Sequence, residues 1–286
     1  MPLADIRAVC RLNPAEAAEA ISTFWQQVTA DTAARGRTAG LLVDHLSRKA
    51  TTMPDFNPAL TLHCAARCDI GAARRSNEDA AYASERLLAV ADGGQGPGGA
   101  AASAAAINAL KRLELSHASA AELLMMLAEA VTEADHRVRT LADDHHQPIT
   151  TLTAMLWSGS QAALVHVGDT RAYLLRGGEL SPLTQDHTYV QSLVDQRRLN
   201  PEEAASHPDR ALLVRALGAG AGPVEVDLAL RAAMVGDRYL LCSDGLSAVV
   251  DRSALREAVS VSAAPEEVAG QLIDLAYAHG ATTSPA

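Results

Sequence analysis

From residue 150 to residue 175, three apolar runs follow one another with only turn residues between them. Residues 150–157, 162–167 and 171–175 have the length and composition of strands, and Gly159 and the pair Gly168-Asp169 supply the turns. Further strands are expected at 60–68, 87–91, 224–230 and 239–242. Helices are expected at 100–115 and 120–141, before this run, and at 253–259 and 265–279, after it, with Gly280 as a C-terminal stop. Helices and strands that come in runs predict an α+β architecture and not a βαβ repeat. Aromatic residues make up only 3% of the chain, so Ala, Leu and Val must build the core.

The 286 residues are expected to divide near residue 58. Asn13-Pro14-Ala15-Glu16 has the form of a helix start, and Ile21, Phe24, Trp25 and Val28 share a helical face. Pro54 and Pro58 break that pattern. Residues 1–58 thus read as a helical extension and linker, and 59–286 as the main domain. Within the latter, 188–196 and 202–206 read as short helices in a polar, His-containing stretch.

A formal charge of −10 gives no global attraction to nucleic acid or to an anionic membrane. The N-terminus lacks a signal-peptide pattern, and no apolar stretch reaches spanning length. Cys10, Cys64, Cys68 and Cys242 form no disulfide framework and read as reduced thiols, so a cytoplasmic location is expected.

Acidic residues recur at turns beside these strands. Asp79 closes Asn77-Glu78-Asp79, and Asp92-Gly93, Gly168-Asp169 and Asp244-Gly245 each follow an apolar run. A single Asp-Gly pair is ordinary turn chemistry. Several together, on strands lying side by side, bring carboxylates to one sheet edge, where they repel unless cations lie among them. Hard oxygen donors with open water positions suit Mg²⁺ or Mn²⁺. Arg74-Arg75 lies just upstream, and a planar guanidinium grips two phosphate oxygens. Metal-assisted phosphate-ester hydrolysis is one chemistry this set supports. A calcium-binding or structural acidic site is another.

The ordered motifs resemble those of the metal-dependent Ser/Thr protein phosphatases of the type 2C class, in their bacterial form. They are Asp69-Ile70-Gly71 through Ala80, Val90-Ala91-Asp92-Gly93, His166-Val167-Gly168-Asp169-Thr170-Arg171, Leu183-Thr184-Gln185-Asp186-His187, Arg215-Ala216-Leu217-Gly218 and Ser243-Asp244-Gly245. The resemblance implies a sandwich of two antiparallel sheets flanked by helices, four layers in the order α-β-β-α. It implies hydrolysis of phosphoserine and phosphothreonine on proteins by attack of a metal-bridging water. By the same resemblance, Asp92 bridges two Mg²⁺ or Mn²⁺ ions, Gly93 offers its carbonyl to one and Asp244 binds the other. Asp79 and Glu78 hold metal-bound waters, Asp169 helps bind a third, weaker metal, and Arg74 clamps the phosphate. Residues 188–210 become a flap beside the site. The implied partners are phosphorylated proteins and a cognate Ser/Thr kinase.

The chain departs from that family pattern in several places. Gly94-Gln95-Gly96-Pro97 replaces the usual Met-Gly-Gly-His, and Ala248 stands where many relatives carry an acid. After Gly280 the chain reads Ala281-Thr282-Thr283-Ser284-Pro285-Ala286, without the family's Asp-Asn pair and last strand. The expectation is a domain lacking that strand and one metal ligand. This leaves a second reading open, a phosphatase-like regulatory or binding module with little turnover.

Overall fold

The computed structural model describes residues 17, 60–71, 76–94, 98–115, 120–220, 222–281 and 284–286. The chain divides into two compact units, Met1–Asn57 and Pro58–Ala286. Apart from the helical Ala17, the expected N-terminal extension and linker lie outside the described residues. Every element below belongs to the second unit.

Two antiparallel sheets carry the fold. The larger contains β1 (Asp79–Ala83), β2 (Leu87–Gly94), β3 (Ile149–Thr150), β4 (Leu152–Ser158), β5 (Gln161–Val167) and β8 (Asp227–Ala232). Its path is β1-β2-β4-β5-β8, with the two-residue β3 paired to the end of β2. In the smaller sheet, β6 (Arg171–Arg176) lies between β7 (Glu179–Pro182) and β9 (Arg238–Cys242). Connections of a few residues allow only antiparallel pairing, and the tight turns use glycines at positive φ, as at Gly159 (56°) and Gly177 (59°).

Helices cover the outer faces. α1 (Gly99–Lys111) and α2 (Ala120–Arg139) flank the large sheet. α1 presents Ala102, Ala106 and Ala109, all fully buried. Side chains this small let the helix approach the sheet closely, while Leu87, Leu152 and Leu156 with Leu110, Leu123 and Leu127 fill the layer between. Truncating any one of these leucines to Ala is expected to cost about 2–5 kcal/mol. On the small sheet, α5 (Asp244–Ser247), α6 (Arg252–Ser260) and α7 (Pro265–Ala278) close a second core around Tyr173, Leu180, Leu255 and Leu272.

Strand β4 shows why the sheets stack. Leu152, Ala154 and Leu156 point to the helices, whereas Met155 and Trp157 point between the sheets, with Leu164 and Ala172. A strand buried on both faces reads as one continuous apolar run, and so it does in the sequence.

The four-layer α-β-β-α sandwich expected from the resemblance is therefore present. Some expectations for individual elements need correction. Residues 60–71 form no strand: their apolar residues are not lacking and Leu62 packs against the inter-sheet core, but among the described residues no ladder partner pairs with them. The strand expected at 224–230 begins only at Asp227, where pairing with His166 of β5 starts. β1, β7 and the one-turn α5 were not anticipated; β1 and β7 are short or polar, and their pairing rather than their composition makes them strands.

The segment 188–210 holds α3 (Tyr189–Asp195) and α4 (Pro201–Ser206). Thr188 caps α3 through its side chain, and Asn200 and Glu203 form a reciprocal capping box on α4.

Candidate metal centre

Strand register brings the acidic turns together. In the β1–β2 ladder Asp79 lies directly opposite Asp92, a like-charge pair that is unfavourable unless something compensates it. The end of β2 is clamped to the β3–β4 junction: the Thr151 hydroxyl accepts from the Asp92 N–H (3.0 Å), and the Thr150 hydroxyl donates to the Asp92 carbonyl (2.8 Å). Next along the sheet, Leu152 pairs with Val167, so the β5–β6 turn that carries Asp169 emerges beside this junction. Across the sandwich, Arg171 pairs with Cys242, which sets Asp169 and Asp244 at the same end of the small sheet.

The electrostatics report the crowding. Burial pushes the Asp92 carboxyl well above the ordinary carboxylate range, and the charges of Asp79, Asp244 and Asp169 raise it further. Two carboxyls brought together in this way can share a hydrogen bond only with a proton on one of them. Asp169 is raised to about 7, first by burial and then by Asp244 and Asp186. A protein that folds carboxylates into mutual repulsion has a use for a positive ion there.

Backbone packing tightens the same corner. Gly93 donates to the Glu78 carbonyl (3.1 Å), which also accepts the Ser103 hydroxyl of α1 (2.6 Å). A Cβ at Gly93 would overlap the Gly99 carbonyl and sit 2.6 Å from the Glu78 oxygen, so only glycine fits. Beyond the end of β9, in α5, Gly245 is equally confined, against the backbone of Ser284 and Pro285.

The donor set fits a hard divalent cation: carboxylates and backbone carbonyls. Among the described residues no three acidic, His or Cys side chains already converge as a ready cage. Mg²⁺-type sites commonly use one or two carboxylates and keep their waters, so a cage is not required.

Of the residues singled out in the sequence, Asp79, Asp92, Gly93, Asp169 and Asp244 meet at this corner, with the Glu78 main chain built into it. Arg74 lies outside the described residues, as do 95–97. The structure adds contacts that sequence reading could not supply. Thr150 and Thr151 hold both backbone groups of Asp92, and Arg171 grips Asp186 with two bonds (2.9 and 2.7 Å). No local signal marks a hydroxyl or an ion pair whose partner is distant in sequence. Below the Asp169 turn lies a buried histidine pair, His166 and His187, with rings 4.7 Å apart. Burial and the neighbouring His187 lower His166 to about 4.

The chain is similar in sequence and fold to characterised proteins. Residues 72–275 match the family model "Protein phosphatase 2C". The chain is 45% identical over 225 residues to the serine/threonine protein phosphatase PstP of Mycobacterium tuberculosis, covering 77% of this chain and 43% of PstP. It thus spans less than half the length of that relative. Serine/threonine phosphatase stp of Listeria monocytogenes is 32% identical over 231 residues, covering 77% of this chain and 91% of stp. The crystal structure of PstP superposes with a TM-score of 0.74 at 44% identity, over 79% of this chain and 96% of that one. A structure of the PstP catalytic domain in complex with two manganese ions gives 0.70 at 42% identity, over 79% and 95%.

Proposed function

Since the chain belongs to the protein phosphatase 2C family, we propose that it is a Mg²⁺- or Mn²⁺-dependent phosphatase acting on phosphoserine and phosphothreonine in proteins. The observation that carries this reading is the register-driven convergence of Asp79, Asp92, Asp169 and Asp244 on one end of the sandwich.

Asp92 and the Gly93 carbonyl would hold one cation, and Asp92 with Asp244 a second. Asp79 and Glu78 would orient water around them, and Asp169 would serve a third, weaker position. When bound, the cations polarise a water and the phosphoryl oxygens. The chain's own part is positional. Thr150 and Thr151 fix the Asp92 backbone, so its carboxylate stays put whether or not it is protonated. Arg171 pairs with Asp186 and offsets part of the repulsion that Asp186 adds at Asp169. Arg74 would grip the substrate phosphate, and 188–210 would form the flap beside it. The partners of this reading are phosphorylated proteins and a cognate Ser/Thr kinase. The free Cys64, Cys68 and Cys242 support a reducing, cytoplasmic setting.

Asp92→Asn and Asp244→Asn test the reading. Each removes an anionic ligand, so each is expected to abolish Mn²⁺-dependent hydrolysis of a phosphoryl ester. Without metal, Asp92→Asn should melt no lower than wild type, because it removes a repelled carboxyl. Near-full turnover in either variant at saturating Mn²⁺ would reject that residue's assignment. A wild type that binds Mn²⁺ and hydrolyses nothing would favour a regulatory module.

A further inference from the structure

His187 begins the polar segment that leaves and re-enters the domain between residues 187 and 214. Its backbone N–H donates to the Gly168 carbonyl (2.7 Å), and its ring Nδ1 accepts from the Gly168 N–H (3.2 Å). One residue thus satisfies both backbone groups of the glycine immediately before Asp169. The His187 carbonyl accepts from the Val214 N–H (2.9 Å), and the neighbouring Thr188–Leu213 bridge and the Tyr189 N–H to Leu212 carbonyl bond (2.8 Å) close the base of the segment.

The ring's tautomer follows from these contacts. Nδ1 accepts from a backbone N–H, so the proton of the neutral ring sits on Nε2. Nε2 faces the Asp227 carboxylate at 3.3 Å, with the Arg215 guanidinium at 3.4 Å on the same edge. His166 stacks on the ring and is itself held by Thr153 and the Gln185 carbonyl (both 2.9 Å). The ring is 9% exposed, so no water competes readily for Nδ1. Gly168 has no freedom to compensate: its φ is 104°, and a Cβ there would lie 2.5 Å from Thr151, the residue that holds Asp92.

We infer that His187 is a positioning residue, clasping both polar groups of Gly168 so that the turn presenting Asp169 is fixed and mechanically joined to the base of the 188–214 segment. This inference rests on the phosphatase reading above, because it gives the clasp a metal site to organise. The critical atom is the Nδ1 acceptor. Asn places an amide oxygen near the position of Nδ1, whereas Gln places its oxygen near Nε2, so the two variants separate acceptor position from bulk and polarity.

The test is Mn²⁺ titration by calorimetry of the full chain and its variants His187→Asn, His187→Gln and His187→Ala. Melting without metal and Mn²⁺-dependence of hydrolysis are measured alongside. Loss of one buried hydrogen bond predicts Mn²⁺ binding weaker by about five-fold in the Gln and Ala variants. His187→Asn is expected to stay within about two-fold of wild type. Equal weakening in Asn and Gln, or none in Ala, would overturn the inference. So would weakening that only tracks a lowered melting temperature. If wild type takes up no Mn²⁺, the phosphatase reading itself falls. If wild type binds and the three variants are alike, only the role of His187 falls.

Discussion

Replacing Gly93 by Ala is the sharpest structural test of the metal corner, because its neighbour provides the control. A Cβ at position 93 would run into the Gly99 carbonyl on one side and lie 2.6 Å from the Glu78 oxygen on the other. Comfortable heavy-atom contact is about 3.5 Å, so even the milder clash is short by about 0.9 Å. Neither obstacle is a flexible side-chain tip; both are backbone, one at the start of α1 and one beside β1. Relief requires β2 to move away from both α1 and residue 78, and the second movement strains the Gly93 N–H to Glu78 bond. Overpacking of this kind costs about 3 kcal/mol. With a urea slope of about 3 kcal/mol per M for a domain of this size, the unfolding midpoint should fall by about 1 M. A Cβ at Gly94, one residue on, would meet nothing within 4 Å, so Gly94→Ala should shift the midpoint far less. Both variants are to be unfolded in urea with chelator present, so that metal binding contributes nothing. The reasoning is refuted if Gly93→Ala and Gly94→Ala unfold at the same concentration.

Protonation gives a second prediction. The Asp169 carboxyl is raised to about 7 in the folded chain against an ordinary 3.8, so its contribution to metal-free stability is full below about pH 4 and is lost as pH rises through 7. Asp169→Asn removes that dependence, so chemical unfolding should find the variant gaining on wild type between pH 5 and pH 8; an unchanged difference would contradict the shift. For the same reason Mn²⁺ must displace protons from the Asp79–Asp92 pair and from Asp169, so its calorimetric affinity should fall as pH drops from 8 to 6, with proton release seen as a buffer-dependent enthalpy. Arg74→Ala is expected to raise KM for a phosphopeptide more than it lowers kcat, and Arg74→Lys to rescue incompletely, since an ammonium lacks the two-pronged contact; unchanged kinetics would assign Arg74 to the surface.

Much of the architecture was legible in the sequence because it rests on local chemistry. Apolar runs parted by Gly159 and Gly168 read as strands, and the helices at 99–111 and 265–278 announce themselves by composition and by their ends. The acidic turns were legible too, each as an aspartate beside a strand end. Their meeting at one corner depends on register: Asp79 faces Asp92 because β1 pairs with β2 in that alignment and not one residue along, where the side chains would change faces. Residues 60–71 mark the limit from the other side, since a strand exists only where a partner's edge is available, and composition is blind to that. Gly93 looked like turn chemistry beside Asp92, yet its necessity comes from the Gly99 and Glu78 backbones that press on it. His187 stood in a family-like motif without its bonds to Gly168 being readable, and Thr150 and Thr151 read only as part of a strand, because a hydrogen bond is addressed to a neighbour in space. The sequence determined which segments could become strands and helices and which groups could bear charge. The tertiary structure decided which charges share a corner, because pairing and packing join residues whose separation along the chain leaves no periodic trace.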